Sequence, residues 1–253
     1  AIIKSNFMIQ HIFPKQIKES NSLTDNSNLL KKQPLQIGLN ERTTTTVNSG
    51  SYIILDFNKE MNGGVRIFTF KANNVKVRIR FGESLTECST ELGENNATND
   101  HANRDFYVEL QNYSDMTFGN TGFRYVRLDF YGDAILKSVM AVNHILSKRT
   151  VWQYKGNDKL ISKIYQTAKR TVDLCAGQDY LWDGVKRDRL VWVGDIHPEM
   201  LALTSLYNRV SVLERSLNFV KEQTPLPSWM NNFPTYSLWW IIIVADYYEK
   251  TSA

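Results

Sequence analysis

The chain has 253 residues, 42% of them hydrophobic and 12% aromatic, with six tryptophans and a formal net charge of +4. That length suits two domains and that apolar content fills real cores. The cations are spread without a polybasic block, which argues against a nucleic-acid partner, and no apolar run nears the roughly 18 residues of a membrane span.

Residues 1–49 read as a polar lead-in segment, with Ser/Thr/Asn runs such as Thr43–Thr46 and at most one or two strands. The start, AIIKSNFMIQHIF, has no basic n-region, apolar h-region or cleavage site. Periplasmic, extracellular and cytoplasmic bacterial locations all stay open.

Residues 50–150 carry the period of strands. Val75, Val77, Ile79 and Phe81 alternate with Lys76, Arg78 and Arg80, and Phe123, Tyr125 and Arg127 oppose Arg124, Val126 and Leu128. Runs at 51–57, 64–70, 75–82, 105–111, 122–131 and 135–146 are separated by clusters such as Asn62-Gly63-Gly64 and Gly119-Asn120-Thr121-Gly122. Short strands at this spacing predict an antiparallel β-sandwich. Residues 84–103 read as a long polar loop able to fold over a ligand or partner.

After Trp152 the period becomes helical. Asn157 or Asp158 is placed to cap a helix whose stripe is Leu160, Ile161, Ile164, Tyr165, Ala168, Val172 and Cys175. A second helix is expected from Pro198, taken as a first-turn proline. A third is expected over about 210–222 and a fourth over about 235–249. Residues 151–253 therefore read as helical hairpins. Cys88 and Cys175 have no CxxC context, and the four histidines show no ligand spacing, so neither metal nor cofactor is expected.

Between the first two helices lies Asp183-Gly-Val-Lys-Arg-Asp-Arg-Leu-Val-Trp-Val-Gly-Asp195, with three carboxylates and three cations in thirteen residues. These alternate with Leu190, Val191, Trp192 and Val193, so some of the segment is buried, and buried charges require partners. Such a cluster beside aromatics suits a polar ligand, above all a sugar.

The motif resembles that of the α-L-rhamnosidases of glycoside hydrolase family 78 and their six-hairpin relatives. The frame is an Asp, an Arg-Glu-Arg triplet and a Trp-x-Gly-Asp ending; here it reads Asp183, Arg187-Asp188-Arg189 and Trp192-Val193-Gly194-Asp195. Asp56-Phe57, Gly63-Gly64-Val65, Val77 to Leu85 and Thr121 to Val126 look like the sandwich that precedes the barrel in that family. The resemblance covers residue 50 onward, the amino-terminal part of such an enzyme. It implies a multidomain β + α protein, a sandwich followed by the first helices of an incomplete (α/α)6 barrel. It implies an inverting glycosidase with two carboxyl groups removing terminal rhamnose from glycans or glycosides. The family's general acid is a Glu whose place is taken by Asp188. Asp183, Arg187 and Asp195 map to residues that bind sugar hydroxyls, with Trp192 a wall of the pocket. The general base is expected beyond Ala253, which leaves the chain alone inactive.

Plainer roles compete. Asp195 is placed to cap the helix that follows, Arg187 and Arg189 to pair structurally with Asp183 and Asp188, and Trp192 to fill a core. A carbohydrate-binding or structural module without catalysis is the alternative to the enzyme.

Overall fold

The computed structural model describes residues 7–252. Two compact units divide the chain, one spanning Ile9–Asn143 and the other joining Phe7 and Met8 to the residues from His144 onward.

Seven strands form one sheet: β1 (Phe7–Ile12), β2 (Gln16–Thr24), β3 (Thr45–Lys71), β4 (Val75–Gly82), β5 (Asp105–Leu110), β6 (Ser114–Phe130) and β7 (Ala134–Leu146). Their order is β1-β7-β3-β6-β4-β5, with β2 also on β3. The separate runs expected at 51–57 and 64–70 are one 27-residue strand. Likewise the stretch Gly119 to Gly122, expected to be a break between strands, lies inside β6.

The long β3 and β6 pair antiparallel throughout but slip register between Asp56 and Met61. Before the slip, β3 carries β2 and faces the half of β6 that pairs with β4. After it, β3 carries most of β7. The two stretches so divided close on one core of Val47, Leu55, Ile67, Val77, Phe81, Phe123, Leu128 and Val139, giving a sandwich-like domain. The slip also moves the buried parity. Phe123 faces the core on one side of it and Val126, Leu128 and Phe130 on the other, so the simple alternation expected here does not hold.

Gly64 permits this close pairing. A Cβ there would sit 2.3 Å from the carbonyl oxygens of both Phe118 and Gly119. Asp56, fully buried, receives two bonds from Arg124, at 2.8 and 2.9 Å. Burial pushes its carboxyl up, but Arg124, the Asn58 amide and Lys18 together hold it below the usual range.

The segment after β4 is no open loop. Ser84 caps a short helix, α1 (Leu85–Ser89), accepting from the Glu87 amide. Cys88 packs on Ile54 and Tyr125. Arg104 donates to the carbonyls of Glu87 and Thr90, and Arg80 reaches Glu91 and Asp129 at 2.9 Å. The start of the 84–103 stretch therefore folds onto its own sheet rather than over a ligand.

The second unit contains α2 (Lys159–Cys175), α3 (Val193–Tyr207), α4 (Ser211–Glu222) and α5 (Pro234–Thr251). Asp158 caps α2, accepting from Leu160 and Ile161 amides at 2.8 and 3.1 Å. α3 starts five residues before Pro198, which sits inside it. Its first amide, Val193 N–H, one of the four that a helix start leaves free, is satisfied by Asn231 Oδ1 at 3.0 Å. Asp195 is consequently a first-turn residue and makes no cap bond.

The core joins Val193, Ile196, Met200, Leu203 and Tyr207 of α3 to Leu213 and Leu217 of α4 and Ile243 and Tyr247 of α5. α2 is tied to α3 by a polar joint. Buried Asp173 accepts from the Tyr207 hydroxyl and, at 2.5 Å, from Lys169. The front of the α2 stripe is not core: Leu160, Ile161 and Ile164 are exposed. So are Leu238, Ile241, Ile242 and Tyr248 of α5. Among the described residues no helix is long and apolar enough to cross a membrane.

Candidate active site

The 183–195 motif forms a closed loop leading into α3. Asp183 N–H donates to Leu190 O at 3.1 Å, and Leu190 N–H returns a bond to Asp183 Oδ1 at 2.9 Å. Between them, Asp188 and Arg189 both take the left-handed backbone, with φ of +56° and +54°. Such a conformation is disfavoured for side-chain-bearing residues and persists only where surroundings enforce it. Arg189 supplies some of that enforcement. Its guanidinium lies 4.4 Å from the Trp182 ring centre and donates to Val185 O at 2.8 Å. Burial pulls its pKa down from the usual arginine value.

Asp188 is held from two sides. Trp192 Nε1–H donates to its Oδ2 at 3.1 Å, and Arg187 Nε lies 3.3 Å from Oδ1. The Arg187 side chain is 82% exposed, so the second contact is a solvated ion pair of small energetic weight. Asp195 is exposed on the first turn of α3.

The carboxyl groups feel one another. Burial raises the Asp183 pKa, and the charges of Asp188 and Asp195 add to that rise. A fourth acid, Glu199, sits one turn beyond Asp195. Burial, then repulsion from Asp195 and Asp183, pushes its pKa up to about 8. Asp183 and Glu199 thus both hold a proton more tightly than ordinary carboxyls, as a general acid must. Burial, with Glu199 and Asp183 adding, also raises Cys175 to about 12 and leaves that thiol inert. Among the described residues no group of three or more His, Cys, Asp or Glu side chains could hold a metal ion.

Trp192 links the loop to a second segment. Its ring centre lies 6.2 Å from Tyr236, edge to face, and 6.4 Å from Phe233. Gly194 makes room for this packing, since a Cβ there would meet the Tyr236 ring at 2.5 Å. Asn231 bonds the backbone on both sides of Trp192, accepting from Val193 N–H and donating to Val191 O at 3.2 Å. Nothing in the spacing of the chain singles out Asn231 or Tyr236, because their partners lie some forty residues away. Glu199, four residues after Asp195, had a legible signal in the helical repeat.

Residues 45–146 match the family model of the bacterial α-L-rhamnosidase concanavalin-like domain. The chain is similar to the solved structure of a Klebsiella oxytoca rhamnosidase with rhamnose bound. There the TM-score is 0.73 at 16% identity, over 98% of this chain and 53% of that one. It is also similar to the GH78 rhamnosidase of Bacillus sp. GL1, with TM-score 0.65 and 17% identity over 88% of this chain and 24% of the other. For the α-L-rhamnosidase from Dictyoglumus thermophilum the values are 0.58 and 18%, over 80% and 25%. No curated protein matches the chain significantly. The resemblance is thereby shown for residues 45–146, and over the rest of the chain the solved structures share the fold. The chain spans about half the length of the first of these proteins and about a quarter of the others.

Proposed function

We propose that this chain is the amino-terminal part of an inverting α-L-rhamnosidase that removes terminal rhamnose from glycans or glycosides. The observation that carries the reading is the group of carboxyls Asp183, Asp188, Asp195 and Glu199 on one loop and the helix it enters, placed after a sheet that matches the rhamnosidase domain. The helical unit is then the opening of an (α/α)6 barrel. The bare apolar residues of α2 and α5 support this, because further helices would bury them.

In an inverting site one carboxyl protonates the departing oxygen while a second activates water on the opposite face of the ring. Asp188 occupies the family's acid position, and Asp183, Arg187 and Asp195 bind sugar hydroxyls beside the Trp192 wall. The base is supplied by residues outside this chain. In the parent enzyme Asp188→Asn should cut turnover about 10²–10⁴-fold on substrates with basic leaving oxygens and less on activated aryl glycosides. Equal loss on all substrates would move Asp188 from acid to sugar binder.

A second reading has one observation in its favour. The Trp192 indole N–H and the Arg187 guanidinium both hold the Asp188 side chain in place. A non-catalytic carbohydrate-binding module would hold its carboxylate this way. Rhamnose binding by the parent protein without hydrolysis would select it.

A further inference from the structure

We propose that the sheet unit carries a binding site of its own, a basic cavity between β7 and the β2–β3 connection that takes the carboxylate of a uronic-acid sugar. The inference does not rest on the rhamnosidase reading above. The cations of this chain are spread along its sequence, but the fold gathers four of them. Lys31, Lys32 and Arg42, on the connection, and Lys137, far along the chain on β7, line one cavity of about 540 Å³. Against them stands a single acid among the described residues, Glu41.

The cavity has a fixed frame. Leu29, fully buried, anchors the connection, and Asn28 Nδ2 donates to Thr44 O at 2.8 Å. Lys137 is only 3% exposed. Its ammonium donates to Gln36 O and, at 2.8 Å, to Glu41 Oε1, which also accepts from Gly38 N–H at 2.6 Å. A buried ammonium has three N–H donors and is costly to leave incompletely paired. The third finds no acceptor among the described residues. Glu41 therefore serves Lys137, and the charge at the rim stays unbalanced. Lys32 and Arg42 are exposed there and have no partner among the described residues. A guanidinium fork matches a carboxylate in shape and charge. The volume is that of a small-molecule site and leaves room for a sugar ring beyond one charged group. The side-chain nitrogens of Gln33 and Gln36 are spent on the carbonyls of Lys137 and Ile37, at 2.7 and 3.2 Å, which leaves both Oε1 atoms to accept from ligand hydroxyls. Cations beside free amide acceptors suit a carboxylate flanked by hydroxyls, which is the pattern of a uronic acid.

The test is a nuclear magnetic resonance titration of the parent protein with methyl β-D-glucuronide and methyl β-D-glucoside, which differ only in a carboxylate for a hydroxymethyl group. Inorganic phosphate is the third probe. We expect the glucuronide to bind about tenfold tighter than the glucoside and than phosphate, and the preference to shrink as salt is raised, because the rim cations are exposed. Lys32→Ala combined with Arg42→Ala should remove most of that preference. Lys159→Ala, an exposed cation on α2, should leave it unchanged. Neither rim residue has a partner in the fold, so the double variant should unfold at the wild-type temperature. Equal binding of the two glycosides, or a preference untouched by the double variant, would overturn the site. Phosphate binding as tightly as the glucuronide would overturn its assignment to a sugar. Hydrolysis of an aryl α-L-rhamnoside should be the same in the double variant and the wild type. A parent protein without that activity would sink the catalytic reading and leave this site standing.

Discussion

Glu199 is the acid whose proton affinity departs furthest from the ordinary among the carboxyls of the candidate site. In the unfolded chain it ionises near 4.5, while in the fold it keeps its proton to about 8. Folding therefore takes up a proton between those limits. Below pH 4.5 the residue costs nothing; the cost grows as pH rises and is complete above 8. Glu199→Gln should match the wild type at pH 4 and exceed its stability at pH 8.5, by on the order of 3 kcal/mol after partial exposure is allowed for. Urea titrations followed by tryptophan fluorescence would show it, and parallel pH profiles for the two proteins would refute it. The motif made the cluster of Asp183, Asp188 and Asp195 legible because shared sequence frames fix loop neighbours. Their contacts were less so. The left-handed backbone at Asp188 and Arg189, and the indole bond to Asp188, depend on Trp182 and on packing from residues 231–236, which no local pattern encodes.

Elements stand or fall here on a few close contacts. Gly64→Ala should unfold the sheet or cost several kcal/mol, since the new methyl would overlap two carbonyl oxygens across the β3–β6 pair. The measurement is the loss of cooperative thermal unfolding in far-ultraviolet circular dichroism. Asp173→Ala should cost about 3 kcal/mol, because it strands the buried Tyr207 hydroxyl and the Lys169 charge together. Tyr207→Phe should cost less than half of that, as it removes a partner without leaving a buried donor. Strand positions were readable where one face is dry. Val75, Val77, Ile79 and Phe81 are all buried as their alternation requires. Arg80 broke the rule because ion pairs to Glu91 and Asp129 let it stay inside. Helix existence was equally readable, yet α3 starts five residues earlier than the chain suggests. Pro198 is the local cue, while the first amide of the helix is held by Asn231, on a distant loop.

At the scale of the molecule, the helical unit shows more apolar surface than a finished domain should. Leu160, Ile161 and Ile164 on α2 and Leu238, Ile241 and Ile242 on α5 are each at least 44% exposed. The 253-residue chain alone should therefore bind a hydrophobic dye and self-associate at micromolar concentration. Light scattering would detect this, and a monodisperse chain without dye binding would contradict it. The parent protein should show neither behaviour. Hydrolysis of an aryl α-L-rhamnoside should likewise be absent from the short chain and present in the parent.

The placement of β3 also sets a timetable. This strand ends at Lys71, yet its neighbours β6 and β7 finish only at Phe130 and Leu146. On a ribosome, the central strand must wait for some seventy-five further residues before both of its flanks exist. At about 5–20 residues per second that is several seconds or more during which the stretch after the register slip, which β2 does not cover, has bare hydrogen-bonding edges. The sheet then closes just before the first long helix is made. Translation speed between codons 71 and 146 should govern how much of the sheet escapes aggregation in the cell.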